Sequence, residues 1–226
     1  PSLVGSEMCI RDRDRSYSFR VLRALKNRFG STNESGIFSM EASGLQEISN
    51  PAGLFLEERS NDASGSVVCA CLEGNRPILV EVQALVAKTP YGMPRRTAVG
   101  FDYNRVTMLL AILERRLGMD FGAYDAYVNV VGGMRVTEPA ADLAVAAALV
   151  SSYRNRPIPH GVLVMGEVGL TGEVRRIGSP ERRIKDAMNL GFKRFVLPMG
   201  KLSLDEPCNG IVQVKTLEEA LDKVFA

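Results

Sequence analysis

The sequence predicts an α+β domain, a mixed sheet with helices packed on it. Three observations lead there. Residues 66–73 and 77–87 are rich in valine, leucine and isoleucine and are joined by Gly74-Asn75-Arg76, which reads as a pair of strands across a turn. Residues 140–153 are apolar nearly all round, as a helix buried on every side must be. Strands and helices then alternate without the regular period of a doubly wound sheet, so the pairing should be mixed.

The elements follow in chain order. Residues 17–29 read as a helix, because Phe19, Leu22, Leu25 and Phe29 make an apolar stripe and Arg20, Arg23 and Lys26 a basic one. Gly30 stands where a glycine ends a helix. Residues 37–40 and 44–48 form a hairpin, and 50–56 a short helical or irregular stretch. Residues 57–64 are polar and rich in turn formers, a linker and domain boundary. After the strand pair, residues 89–97 form a proline- and glycine-rich loop. Val106, Leu109, Leu110, Leu113 and Leu117 give helical spacing over 104–117, and 127–131 is a strand ending in Gly132-Gly133.

Thr137 is expected to cap the buried helix, with Glu138 and Pro139 in its first turn. A strand over 161–168 follows, then a helix from Ser179 to Leu190. Strands at 195–198 and 211–214 lead to a closing helix over 216–225, capped by Thr216.

Composition narrows the function. The 226 residues are 46% hydrophobic and 24% charged, ordinary for a globular chain. A net charge of +2 excludes a uniformly basic nucleic-acid coat and leaves local clusters to be judged singly. No stretch approaches the ~20 apolar residues that cross a bilayer. Cys9, Cys69, Cys71 and Cys208 form no C-x-x-C pair, and the single histidine, His160, is expected in an exposed turn, so no metal site is expected. Few, scattered thiols fit the reducing cytoplasm. Cys69 and Cys71 should share one face of a strand as small hydrophobes. Residues 1–13, PSLVGSEMCIRDR, resemble translated sequencing-adapter read-through and are expected to be non-native.

Two segments carry a family resemblance. The run 166–178, GEVGLTGEVRRIG, resembles a signature of the Lon protease domain, in which the catalytic lysine follows closely. Upstream, the D-G-P-S-A-G segment that bears the nucleophilic serine in that family is matched by Thr137-Glu-Pro-Ala-Ala-Asp142. The resemblance covers residues 64–226 and implies a Lon-like fold, similar to that of ribosomal protein S-five. It also puts Ala140 at the serine position and Glu181 at the lysine position. A Ser–Lys dyad needs a hydroxyl to attack and an amine to take its proton. A methyl group and a carboxylate supply neither, so no catalytic residue is expected.

The second segment is Lys26-Asn27-Arg28-Phe29-Gly30. KNRFG is the hallmark of the RadA/Sms family of bacterial DNA-repair proteins, and the chain resembles that family from about Asp14 to its end. Phe101-Asp-Tyr-Asn-Arg105 and Leu190-Gly-Phe-Lys-Arg194 are further family-like runs. The resemblance implies that residues 14–58 are the end of a RecA-like ATPase core and that 64–226 are a degenerate Lon-like domain. The parent protein would be a hexameric DNA-dependent ATPase that promotes branch migration in recombination and repair. It would use ATP and magnesium, carry zinc on an N-terminal four-cysteine motif, act with a RecA-type recombinase in the bacterial cytoplasm, and bind single- and double-stranded DNA. The chain itself has no G-x-x-x-x-G-K-[ST] loop to cradle ATP, so no cofactor is expected in it.

In chemical terms, Lys26 and Arg28 can neutralise phosphates and Asn27 can reach a phosphate or base edge. Alternatively, the segment can reach a neighbouring subunit's nucleotide. Arg95, Arg96, Arg175 and Arg176 are candidate DNA contacts, and Arg182-Arg183 a further basic pair, each with a solvated surface as the plain alternative. The contrasting function is an ATP-dependent Ser–Lys peptidase of the Lon type.

Overall fold

The computed structural model describes residues 7–10, 19–26, 35–41, 44–47, 63–74, 76–90, 92–204 and 208–226. Strands β1 (Glu7–Ile10), β2 (Phe19–Lys26), β3 (Ser35–Glu41) and β4 (Gly44–Glu47) form one antiparallel sheet in that order. The hairpin of β3 and β4 is as expected. The helix expected over 17–29 is not: its described part is strand. β2 pairs along both edges, with β3 from Phe19↔Ser39 to Arg23↔Ser35 and with β1 at Ile10↔Leu22. Such two-sided pairing overrides a local helical pattern. β1 itself lies in the segment expected to be non-native.

The main body contains β5 (Ser66–Glu73), β6 (Arg76–Lys88), β7 (Arg96–Val99), α1 (Tyr103–Leu117), β8 (Tyr124–Val130) and α2 (Asp142–Arg154). It continues with β9 (Val162–Val164), β10 (Glu167–Val168), β11 (Val174–Arg175), α3 (Pro180–Asn189), β12 (Arg194–Pro198), β13 (Ile211–Val214) and α4 (Leu217–Val224). Seven strands make one mixed sheet in the order β13-β12-β9-β5-β6-β8-β7. β5, β6 and β8 pair antiparallel, and the pairs outside them are parallel. The fold is thus mixed α/β, with helices on both faces of the sheet.

One face carries α1, α2 and α4 over Val67, Cys69, Val80 and Val82. The other carries α3, whose Ile184 and Ala187 meet Val68, Leu79, Leu163 and Phe195. Residues 142–151 of α2 are all buried, as its apolar sequence requires. Cys69 and Cys71 do share a face, their Sγ atoms 3.7 Å apart in the core. Thr216 caps α4 by accepting from the Glu219 N–H, and His160 is exposed in a turn.

Three local expectations are corrected. Thr137 does not cap α2: a 3-10 turn, Pro139–Ala141, intervenes, and no side chain caps either segment. The strand expected over 161–168 breaks into β9 and β10, because Gly166 leaves the main sheet to bond Ala140 and Leu143. The end of the expected loop 89–97 is β7, zipped in parallel to β8 from Arg96↔Ala126 to Val99↔Asn129.

Candidate functional site

The two segments that resemble the Lon dyad regions are neighbours in space. The Gly166 N–H donates to the Ala140 carbonyl at 2.8 Å, and the Leu143 N–H donates to the Gly166 carbonyl at 3.0 Å. A Cβ on Gly166 would lie 2.8 Å from Val174 Cγ1 and 3.3 Å from Leu143 Cδ2, so this close lacing needs glycine. Ala140 is 1% exposed. Its position therefore lacks a hydroxyl and is also closed to solvent.

A buried ion pair ties the same turn to α3. Arg183, which has no exposure, donates through its guanidinium to the Glu138 carboxylate, with one contact at 3.0 Å. It also donates to the Ala70 carbonyl, and its Nε to the Gly178 carbonyl at 2.8 Å. Glu138 in turn accepts from the Leu72 N–H at 2.8 Å. Each guanidinium nitrogen and both carboxylate oxygens thereby have a partner, the condition for tolerating buried charge. Arg183 was expected on the surface; the structure corrects this, and only Arg182 of that pair is exposed. Contact with Cys69, and then burial, pushes the neighbouring Cys71 thiol up.

A second ion pair sits two residues past Ala140. Arg105 of α1 donates in a bidentate fork to Asp142, whose side chain has no exposure and which also accepts from the Val168 N–H at 3.1 Å. Burial holds the Asp142 carboxyl above its ordinary value despite the opposing pull of Arg105. The pair walls a cleft of about 300 Å³ shared with Glu167, Leu170, Glu173 and Arg175. Glu181, which the Lon resemblance aligns with the lysine, lies in the first turn of α3 and accepts from the Ser203 N–H at 3.3 Å. It lines a separate, more apolar groove with Arg176, Leu197, Pro198, Lys201 and Leu202.

The other candidates differ in kind. Arg95 is exposed, while Arg96 is half-buried and donates to the Phe121, Tyr124 and Arg95 carbonyls, clamping β7 to the start of β8. Arg175 is exposed and pairs with Glu173 at 2.8 Å; Arg176 is exposed and donates to the Met199 carbonyl at 3.3 Å. Lys26 ends β2, paired with Glu7, and Asn27, Arg28, Phe29 and Gly30 lie outside the described residues. The structure does not bring the described candidates into one cluster.

Sequence reasoning missed the roles of Arg105, Asp142, Glu138 and Arg183. The signal was present as charge on apolar faces: Asp142 opens the most apolar helix, and Arg183 lies one turn from Ala187. Among the described residues no group of three or more histidines, cysteines or carboxylates is placed to hold a metal ion.

Comparison with known proteins decides the family. DNA repair protein RadA of Halalkalibacterium halodurans is 50% identical over 213 residues, 92% of this chain and 46% of that protein. RadA of Bacillus subtilis is 50% identical over 210 residues, and RadA of Pseudomonas aeruginosa 50% over 207. The chain belongs to the RadA family. It spans about half the length of these RadA relatives. Residues 83–201, just over half the chain, match the family model described as subunit ChlI of Mg-chelatase, and the chain belongs to that family too. The matched part includes both dyad positions and most of the seven-stranded sheet, the Lon-like C-terminal domain of a RadA protein. No helix among the described residues is long and apolar enough to cross a membrane.

Proposed function

We propose that this chain is the DNA-handling and assembly part of a RadA-type, DNA-dependent ATPase that promotes branch migration in homologous recombination and repair. Residues 64–226 are its degenerate Lon-like domain, residues 14–58 the end of its RecA-like core, and residues 1–13 are not native. The observation that carries this reading is the dyad turn. In a chain of the RadA family, Ala140 stands without hydroxyl and without exposure where a peptidase needs its nucleophile, and Glu181 stands where it needs its base. Loss of one member of such a unit costs about 10⁴–10⁶ in rate. The Glu138–Arg183 pair supports the same view, since it braces the turn as a rigid structural joint.

With cleavage gone, binding is the remaining use of the scaffold. Lys26, Asn27, Arg28, Phe29 and Gly30 contact DNA or couple to a neighbouring subunit's nucleotide. Exposed Arg95, Arg175 and Arg176 add phosphate contacts, whereas the position of Arg96 assigns it to holding the Arg95 loop. The parent protein, in this reading, is a cytoplasmic bacterial hexamer that uses ATP and magnesium, carries zinc on its N-terminal cysteines and works with a RecA-type recombinase.

In the full-length protein, changing Lys26 and Arg28 to alanine is expected to abolish DNA stimulation of ATPase or branch migration. Unchanged activity in both assays sinks that role. Cleavage of casein or a fluorogenic peptide by the unmodified protein, measured beside an Ala140→Ser/Glu181→Lys variant, would overturn the reading in favour of a peptidase.

A further inference from the structure

Among the described residues, Met93 is the large apolar side chain most open to water, at 88% exposure. It stands in the loop between β6 and β7. A single exposed apolar residue needs no explanation by itself. The base of this loop, however, is built. Asp125 of β8 is buried beneath it and accepts from the Arg95 N–H at 2.8 Å and from the Thr89 hydroxyl at 2.9 Å. The Thr89 N–H donates to the Ala123 carbonyl at 3.0 Å, and the Arg96 guanidinium to the Phe121 carbonyl at 2.6 Å. Pro90 and Pro94 each fix their own φ within the loop. Gly92 reverses the chain at φ +83°, with open space about its α-carbon.

Met93 is therefore an apolar tip on a fixed pedestal, flanked in the chain by the exposed cations Lys88 and Arg95. A projecting unbranched thioether with exposed cations close by in the chain resembles the wedges that architectural proteins insert between base steps while neighbouring arginines hold the backbone.

We propose that Met93 inserts between stacked bases of DNA, with Arg95 and Lys88 on the flanking phosphates. The inference rests on the DNA-binding reading above and adds to it the side chain that deforms the duplex. The test uses a duplex oligonucleotide carrying 2-aminopurine, whose fluorescence rises on unstacking, with binding followed separately by anisotropy. The unmodified chain is expected to bind and to raise the fluorescence. Met93→Ala, a largely solvated change expected to leave the melting curve unaltered, should keep binding within about threefold, since phosphate contacts dominate affinity, and lose the fluorescence rise. Arg95→Ala should weaken binding about threefold or more. Binding without a fluorescence rise overturns the wedge and leaves the DNA reading standing. Failure of the unmodified chain to bind the duplex overturns both. Loss of self-association in Met93→Ala, with flat fluorescence, overturns the wedge in favour of a protein contact.

Discussion

At the scale of single residues, stability near the dyad turn depends on Arg183. Its guanidinium joins Glu138, the Ala70 carbonyl and the Gly178 carbonyl from a position with no exposure. Removing it leaves a carboxylate beside the core without its cation, which costs about 3–5 kcal/mol. Arg183→Ala should lower unfolding free energy by that amount in denaturant melts, and adding Glu138→Ala should recover part of the loss. A loss below about 1 kcal/mol, the range of exposed pairs, would contradict the assignment. Glu173 offers a pH test. The Thr171 hydroxyl, its own backbone N–H and Arg175 lower its carboxyl to about 2, from an ordinary 4.5. A depressed acid contributes stability above its unfolded value and loses it as pH falls through the folded one. The contribution is therefore complete above about pH 4.5 and fades toward pH 2. An NMR titration of the Glu173 carboxyl should show the low midpoint, and Thr171→Val should raise it.

At the scale of elements, the site depends on how closely the loop after β9 meets α2. Gly166→Ala places a methyl 2.8 Å from Val174 Cγ1 and should destabilise by about 1–3 kcal/mol, the usual range for overpacking. Hydrogen exchange should then rise at the amides of Leu143 and Gly166, which bridge the two segments; unchanged exchange there would contradict the lacing. Much of this was legible in the sequence. The apolar run of α2, the β5–β6 pair, the Thr216 cap and the 195–198 and 211–214 strands follow from periodicity and capping chemistry alone. The break between β9 and β10 was not, since it arises from hydrogen bonds between Gly166 and Ala140 and Leu143, well upstream in the chain. The strand over Phe19–Lys26 was hidden for a similar reason: its stripe fits a helix, and only pairing with β3 and β1 makes it a strand. Arg183 read as surface because the sequence does not reveal that Glu138 meets it at the edge of the core.

At the scale of the whole molecule, a chain of net charge +2 spreads its candidate phosphate contacts over separate places. Lys26 lies in the N-terminal sheet, Arg95 on the β6–β7 loop, and Arg175 and Arg176 at and just after β11. The family was readable from KNRFG and the Lon-like runs around Ala140 and Gly166, whereas these positions needed the fold. We propose that this Lon-like scaffold binds DNA. The direct measurement is the affinity of the chain for a mixed-sequence duplex as salt is raised from 50 to 200 mM. If Lys26, Arg95, Arg175 and Arg176 neutralise three or four phosphates, log K should fall linearly with log salt, with a slope of about −3 to −4. Absence of binding at 50 mM salt, or an affinity indifferent to salt, would contradict the account.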